Sequence, residues 1–138
     1  MRIAVYCPHY EDAGGVQEVV RRLSAGMTRA GDDVHLIARL PGGVADDLPV
    51  RDASTGAAVS RVRFVRAPHR AAGARAFRHF LHRFPASAVR LVATTARRRP
   101  ELIATHCSKF HAPYVLALRV LRVPIVVHLH NGVITEFR

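Results

Sequence analysis

The stretch EDAGGVQEVVRRLSAGMTRAGDDVHLIARL, residues 11–40, decides the fold of the chain. After two adjacent glycines, apolar residues recur every three or four positions, a spacing that predicts one face of a helix: Val16, Val19, Val20, Leu23, Met27 and Ala30. Gly31 is a typical helix stop, and residues 34–38 (VHLIA) follow as a short apolar strand. Gly14 and Gly15 therefore lie where a loop enters the helix, either as a tight turn or as a place where the backbone approaches a ligand.

The alternation of strand and helix continues along the rest of the chain. Four further apolar runs predict strands at residues 2–7, 61–67, 101–107 and 124–130, and residues 40–60 have the composition of a loop. Residues 74–84 and 86–99 are predicted as two helices separated by Pro85, and another helix has Pro113 in its first turn. This order predicts an α/β domain with a Rossmann-like, doubly wound and mostly parallel sheet of about five strands.

Composition narrows the class of protein. With 138 residues, 49% of them hydrophobic, the chain suits one domain with a packed core and is not a disordered tail. No apolar run reaches the roughly 18 residues that span a membrane, and the first residues lack the features of a secretory signal. The two cysteines, Cys7 and Cys107, do not make a disulfide framework, so they are expected as small core residues of a reduced, cytoplasmic protein.

The net charge of +11 comes from the middle of the chain. Residues 53–100 contain eleven arginines and no acidic residue, whereas the flanking segments are close to neutral. A coding bias explains why arginine replaces lysine, but it does not explain the absence of acids. An anionic partner is therefore expected, either a phospholipid surface, nucleic acid or a phosphorylated substrate. Nucleic acid is disfavoured because no recognition motif accompanies the charge.

One predicted helix places this charge beside aromatic residues. Its apolar residues follow helical spacing, and they are Phe77, Phe80, Leu81 and Phe84. Arg75, Arg78 and Arg83 occupy other positions of the same helix. A basic amphipathic helix of this kind can lie in a membrane interface, as an anion-binding surface. The alternative is that the aromatic side chains pack on the sheet while the arginines are simply solvated.

Two common nucleotide-binding patterns do not occur in the sequence. No G-x-G-x-x-G follows the first strand, no acidic residue ends the second, where Arg39 stands, and G-x-x-x-x-G-K-[ST] is missing. A dehydrogenase or a P-loop enzyme is therefore disfavoured. In a doubly wound sheet the loop after the first strand nevertheless lies at the ligand-binding edge, where the amino terminus of a helix attracts anions.

Three segments, taken in chain order, carry a resemblance to a known family. The first joins MRIAVYCP to GGVQEVVRRLSAGMTRAGDDVHLIA, the second is RRPELIATHCS and the third is VPIVVHLHNG. Together they resemble the start of retaining glycosyltransferases of family 4, although Asp32 replaces the usual histidine and Glu101 the usual aspartate. The resemblance implies one half of a GT-B fold. Members that glycosylate phosphatidylinositol-type lipids at a membrane face are the most similar in their Gly-Gly-Val-Gln loop and arginine-rich middle.

The resemblance implies roles for individual residues. It places Gly14, Gly15 and Gln17 at the diphosphate of a nucleotide-sugar donor, next to the acceptor. It makes His130 the catalytic residue that contacts the transferred sugar, and its position at the strand end favours it over His128. Five further residues become candidates on the acceptor side: His9, Tyr10, Asp12, His106 and Asn131.

The implied reaction is transfer of a hexose, with retention, from a nucleotide sugar to a lipid, polyol or glycan. The donor is a substrate, and no cofactor is expected. No metal is expected either, since the Cys and His residues lack close ligand spacing. The family's donor-binding domain does not fit in 138 residues. The chain is therefore expected to be inactive alone, whether as a fragment or as half of a split enzyme whose partner chain carries that domain. The alternative class is a non-catalytic binding or regulatory subunit at an anionic membrane surface, peripheral on its inner face.

Overall fold

The computed structural model describes residues 1–12, 14–40, 51–65, 68, 73–107 and 111–129. Five strands form one parallel sheet in the order β3-β2-β1-β4-β5. The strands are β1 (Arg2–Tyr6), β2 (Asp33–Arg39), β3 (Ala58–Val62), β4 (Leu102–Cys107) and β5 (Ile125–Leu129). The α-helices are α1 (Gly15–Arg29), α2 (Gly73–Ala96) and α3 (Ala112–Leu118), the last followed by a 3-10 turn. The predicted α/β class and the parallel sheet of five strands are confirmed.

Helices cover both faces of the sheet, which makes the fold doubly wound. Ile3 and Val5 of β1 pack in one apolar cluster with α1, whereas Ala4 and Tyr6 pack in a second cluster with α2 and α3. Successive side chains of a strand point to opposite faces, so a central strand buried on both sides needs a continuous apolar sequence. The connection through α1 leads to one side of β1, and the connection through α2 leads to the other. The strand order therefore reverses between β1 and β4.

Helix α1 ends as predicted, and its predicted apolar face is confirmed in part, since Val20 is buried and Val16 and Met27 pack against the same cluster. Gly31 adopts a left-handed φ of 91°, which glycine accepts at a helix end without strain. Val19 and Leu23, predicted to face the core, are each 45% exposed. The small Ser24 is fully buried, which lets the helix lie close to its neighbours on a side that apolar spacing alone does not identify. The buried residues are Gln17, Val20 and Ser24.

Strand β3 lies earlier than the run of residues 61–67 that predicted it. Its ladder with β2 runs from the pair His35–Ala58 to the pair Arg39–Val62. The ladder stops at Val62 because β2 itself ends at Arg39. The prediction of an edge position is confirmed, since β3 is the end strand of the described sheet and pairs with β2, apart from one isolated bridge between Arg51 and Ala58. Within the predicted loop of residues 40–60, residues 41–50 lie outside the described part of the chain.

Pro85 does not separate two helices, contrary to the prediction. Helix α2 is continuous over 24 residues and contains Pro85 in its interior. Proline removes the hydrogen bond to the carbonyl four residues earlier, which belongs to Leu81. Both Leu81 and Pro85 are exposed, so water can reach that carbonyl. Buried residues on either side, Phe80 and Leu91, hold the two halves of the helix in place.

Helix α2 is much longer than the strands it covers. Its 24 residues rise about 36 Å, whereas the six residues of β4 rise about 20 Å. The helix runs back from the end of β3 to the start of β4, so its first turns extend past the carboxyl edge of the sheet. Phe77 and Leu81, in those turns, are 54% and 52% exposed.

Candidate functional site

The carboxyl ends of β1 and β4 meet at the point where the strand order reverses. Tyr6, the last residue of β1, pairs with Thr105 of β4. The loop that follows β1 therefore leaves the sheet beside His106. Open α/β sheets bind ligands at this position, because the connections on either side turn away from each other and leave a crevice.

Gly14 and Gly15 begin helix α1 at this edge, and they differ in what surrounds them. Gly14 has an extended backbone, but a Cβ there would lie 2.6 Å from Oε1 of the Gln17 side chain. A Cβ on Gly15 would meet no atom within 4 Å. Gly14 therefore makes room for Gln17, whereas Gly15 leaves the backbone open to an approaching group. The first N–H groups of the helix have no intrahelical acceptors and favour an anion there.

His9 is oriented by two neighbours in the loop after β1. Nδ1 of His9 lies 2.8 Å from Oδ2 of Asp12, which is hydrogen-bonding distance. The ring of His9 also meets the ring of His111 edge-on, with 5.1 Å between the centroids. A carboxylate on Nδ1 fixes the imidazole tautomer and leaves Nε2 as the acceptor. The structure thus brings together His9 and Asp12, which the sequence grouped on the acceptor side.

Tyr10 lies in the core on the α1 side of the sheet. Its side chain is buried, and its hydroxyl donates a hydrogen bond to Oδ2 of Asp52 at 2.6 Å. The guanidinium of Arg21 lies 5.3 Å from the ring centroid and donates to the Tyr10 carbonyl. Burial acts to raise the pKa of Asp52, but hydrogen bonds from Ser54 and Tyr10 outweigh it and lower that pKa to about 2. Tyr10 therefore holds the loop in place, and its role towards an acceptor stays a prediction.

A second ion pair ties the same loop to the edge strand. Oε1 of Glu11 lies 2.8 Å from a guanidinium nitrogen of Arg61, which belongs to β3. The Arg61 side chain is 13% exposed, so this pair is better shielded from water than an ordinary surface salt bridge. The loop after β1 is consequently fixed at His9, Tyr10 and Glu11 in succession.

Two histidines stack at the ends of β4 and β5. His106 and His128 are opposite each other in the strand register, with ring centroids 4.5 Å apart and the planes 4° from parallel. His106 is buried and His128 is exposed. His130 and Asn131, the predicted catalytic residue and its neighbour, lie outside the described residues. Their roles stay predictions.

Both cysteines are buried and free, as expected for core residues. Burial raises the pKa of the Cys7 thiol to about 12, and it raises the pKa of Cys107 as well. Both side chains are therefore neutral thiols near neutral pH. In the described parts of the chain, no three or more His, Cys, Asp or Glu side chains are grouped so that they could hold a metal ion.

The apolar residues of α2 fit both predicted alternatives, since some pack in the core and others are exposed beside arginines. Phe80 and Phe84 pack together, with 5.2 Å between ring centroids, and Phe84 also contacts Tyr114 of α3. Phe77 and Leu81 are exposed beside three exposed arginines, Arg75, Arg78 and Arg83. Among the helices that the structure describes, none is long and apolar enough to cross a membrane.

Sequence reasoning missed several residues that shape this edge of the sheet. His111, Glu11 and Arg61 come from a helix end, a loop and a strand that are distant in sequence. No spacing rule links them, because their proximity depends on the strand order. The one available signal was an acidic residue, Glu11, ahead of the glycines, together with the arginine-rich run of residues 61–67.

The fold and this edge define a Rossmann-like α/β domain, and comparison with known proteins identifies the family. The family model described as Glycosyltransferase Family 4 matches residues 13–137. The chain belongs to glycosyltransferase family 4. None of the curated protein sequences is significantly similar to it.

Two solved structures with the same fold are chains about three times as long as this one. Sucrose-phosphate synthase from Thermosynechococcus elongatus superposes with a TM-score of 0.65 and 19% identity over 94% of this chain and 33% of that one. MurG from Acinetobacter baumannii gives 0.60 and 13% identity over 98% and 36%. The chain thus spans about a third of the length of each. These likenesses show a GT-B type of Rossmann-like domain.

A third structure shows how far the fold reaches beyond this family. The C-terminal domain (residues 78–226) of the PF1911 hydrogenase from Pyrococcus furiosus matches with a TM-score of 0.52 and 16% identity, over 93% of this chain and 90% of that chain. One sheet topology therefore occurs with different chemistries, and function has to be argued from the site.

Proposed function

We propose that this chain is the acceptor-side half of a retaining glycosyltransferase that moves a hexose from a nucleotide sugar to a lipid, polyol or glycan. Membership of family 4 supports the class of reaction. The observation that carries the proposal is Gly15, an open backbone position at the start of α1 and at the reversal of strand order. A diphosphate can approach the helix amino terminus there without meeting a side chain.

Two groups of side chains support separate positions for the donor diphosphate and for the acceptor. Gln17 folds back towards Gly14 at the proposed diphosphate position. His9, held by Asp12, lies in the same loop after β1 and can accept a hydrogen bond from an acceptor hydroxyl through Nε2. His130 is proposed to contact the transferred sugar, as the family resemblance implies. The donor domain is proposed to come from further polypeptide or from a partner chain.

A pair of glycine substitutions tests the proposal. Gly15→Ala and Gly26→Ala are matched, because both glycines lie in α1 and a Cβ at either position meets no atom within 4 Å. With the donor domain supplied, we expect Gly15→Ala to lower hexose transfer at least tenfold, since the methyl group intrudes on the diphosphate. Gly26→Ala should leave transfer unchanged. The measurement is labelled-hexose incorporation together with the anomeric configuration of the product.

Three results would count against this function. Equal activity of the two glycine variants would show that the diphosphate does not bind at the Gly14–Gly15 loop. An inverted anomeric product would contradict the retaining reaction. Full activity of His130→Ala would show that His130 is not catalytic.

A second candidate, a non-catalytic subunit at an anionic membrane, rests on helix α2. Phe77 and Leu81 are exposed in turns that also present Arg75 and Arg78. Apolar side chains flanked by arginines are suited to the boundary between lipid headgroups and acyl chains. This function predicts binding to anionic vesicles that salt weakens, whether or not sugar is transferred.

A further inference from the structure

A basic cavity lies between β3 and α2. Its volume is about 370 Å³, and its lining residues are Leu40, Arg61, Val62, Arg63, Arg90 and Thr94. The arginines come from two elements, Arg61 and Arg63 from β3 and the position after it, and Arg90 from α2. None of the lining residues is acidic.

In the part of the chain that the structure describes, acidic side chains balance only part of the positive charge of this cavity. Glu11 neutralises Arg61 through the ion pair at 2.8 Å. No acidic side chain in the described part of the chain forms a salt bridge with Arg63 or Arg90. Cations that line one cavity repel each other, and an anion bound in the cavity reduces that repulsion. A guanidinium presents a planar set of donors that matches a phosphate group in a bidentate manner.

The position of the cavity connects it to the proposed reaction. Leu40 follows β2 and Arg63 follows β3, so the cavity opens at the same carboxyl edge as the glycines. The Glu11–Arg61 pair joins the cavity wall directly to the loop that carries His9. A molecule that occupied the cavity with a charged group would therefore have its remainder near that loop.

We propose that the cavity lined by Arg61, Arg63 and Arg90 binds a phosphate group of the acceptor. The assignment to the acceptor rests on the proposed transferase function, whereas binding of phosphate does not. The phosphate belongs either to a soluble phosphate monoester or to a lipid headgroup, and the chemistry that recognises it is the same. Thr94, on the same wall, offers a hydroxyl for a neutral hydrogen bond to the group.

Binding of glycerol 3-phosphate, measured directly on the chain, tests the site without any need for sugar transfer. Two double variants remove the same amount of charge. Arg63→Gln/Arg90→Gln should weaken binding at least tenfold, whereas Arg119→Gln/Arg122→Gln, an exposed pair outside the cavity, should change it less than twofold. Glu11→Gln should strengthen binding, because it removes a negative charge that lies 2.8 Å from the Arg61 guanidinium.

The outcomes separate the site from its alternatives. Equal weakening by both double variants would show that net charge alone attracts phosphate and would overturn the proposal. Equal binding of uncharged glycerol would overturn it too. NMR signals of the Arg63 and Arg90 side chains should shift on binding, and a shift confined to the Gly15 amide would instead place the phosphate at α1.

The source of the phosphate is decided with phosphatidylglycerol vesicles. Saturable binding of glycerol 3-phosphate supports a soluble acceptor. Binding of vesicles alone, weakened by Arg63→Gln/Arg90→Gln, supports a lipid headgroup at the same site. Binding of neither probe would overturn the site, and it would leave the transferase function standing if hexose transfer is nevertheless observed.

Discussion

The loop after β1 and the helix α2 are both rich in ionisable side chains, but these side chains are paired within the protein in the loop and exposed to solvent in the helix. In the loop, His9 meets Asp12, Tyr10 meets Asp52 and Glu11 meets Arg61, so each polar group has a partner within the protein. Helix α2 contains no acidic residue at all, and its arginines project into solvent.

This difference separates two kinds of surface. Paired side chains fix the geometry of the loop, which is what a site must have if it is to position a donor and an acceptor before reaction. Unpaired cations do not fix geometry, but they create a field that attracts anions over a distance. The loop is therefore suited to chemistry, whereas α2 is suited to attracting an anionic ligand or surface.

The largest expected effect distinguishes the two ends of α2 itself. Leu91 is fully buried and Leu81 is 52% exposed in the same helix. Leu91→Ala should lower the free energy of unfolding by roughly 4 kcal/mol, because it leaves a cavity in the core. Leu81→Ala should lower it by less than about 0.5 kcal/mol. Urea denaturation of the two variants provides the measurement. Similar losses would mean that the first turns of α2 are packed, and the contrast with the loop would disappear.

The next effect concerns His35, a buried histidine of β2 whose pKa is lowered by burial and by the positive charge of Arg98, just after α2. His35 of β2 is buried with Nε2 2.9 Å from Oγ of Ser60. Burial, assisted by the positive charge of Arg98 and opposed by Asp33, lowers the pKa of His35 to about 4. His35 is therefore protonated below about pH 6.5 in the unfolded chain, but only below about pH 4 in the folded chain. The free energy of unfolding consequently falls as the pH falls through this interval.

This pH dependence can be measured against a variant that cannot titrate. Between pH 6.5 and pH 4 the wild-type chain should lose roughly 3 kcal/mol of unfolding free energy through His35. His35→Gln removes that proton and should show a flatter dependence over the same interval. Comparing slopes rather than absolute stabilities cancels both the cost of the substitution and the titration of other groups. Identical slopes would show that His35 is not the group responsible.

The mostly parallel sheet of about five strands and the helices α1 and α3 could be predicted from the sequence because burial imposes simple periods. The central strand β1 is apolar throughout since both of its faces are covered. Pro85 misled the prediction because the rule against proline treats a helix in isolation. Packing of Phe80 and Leu91 on either side of it compensates for the lost hydrogen bond. The bounds of β3 could not be predicted, since they depend on its pairing with β2, from His35–Ala58 to Arg39–Val62.

The candidate site divides in the same manner. Gly14, Gly15 and the pair His9–Asp12 lie within a few residues of each other, so local sequence is sufficient to group them. The Glu11–Arg61 pair spans 50 residues, and the cavity joins Arg63 to Arg90. These residues are close because of the order of the strands in the sheet, and the sequence pattern alone does not give that order. The burial of Tyr10 was likewise beyond local reasoning, because Asp52 lies 42 residues away.

The smallest of the expected effects tests whether the charge on α2 acts at a membrane. Each arginine close to an anionic surface contributes about 1 kcal/mol to binding. Arg75→Gln/Arg78→Gln should therefore weaken binding to phosphatidylglycerol vesicles by about 2 kcal/mol, roughly thirtyfold. The matched control is Arg97→Gln/Arg98→Gln, which removes the same charge just after the other end of α2.

The position of the charge is what this comparison measures. If vesicles contact the first turns of α2, the control should bind almost as well as the wild-type chain, because the rise of the helix, about 36 Å, exceeds the distance over which salt leaves charges unscreened, about 8 Å at 0.15 M. Replacing Phe77 with Ser should weaken binding to the same vesicles even at high salt, since burial of its ring does not depend on screening. Equal weakening by the two arginine pairs would show that α2 has no oriented membrane face. Its arginines would then act only through the net charge of the chain, and the contrast with the loop after β1 would concern solubility rather than function.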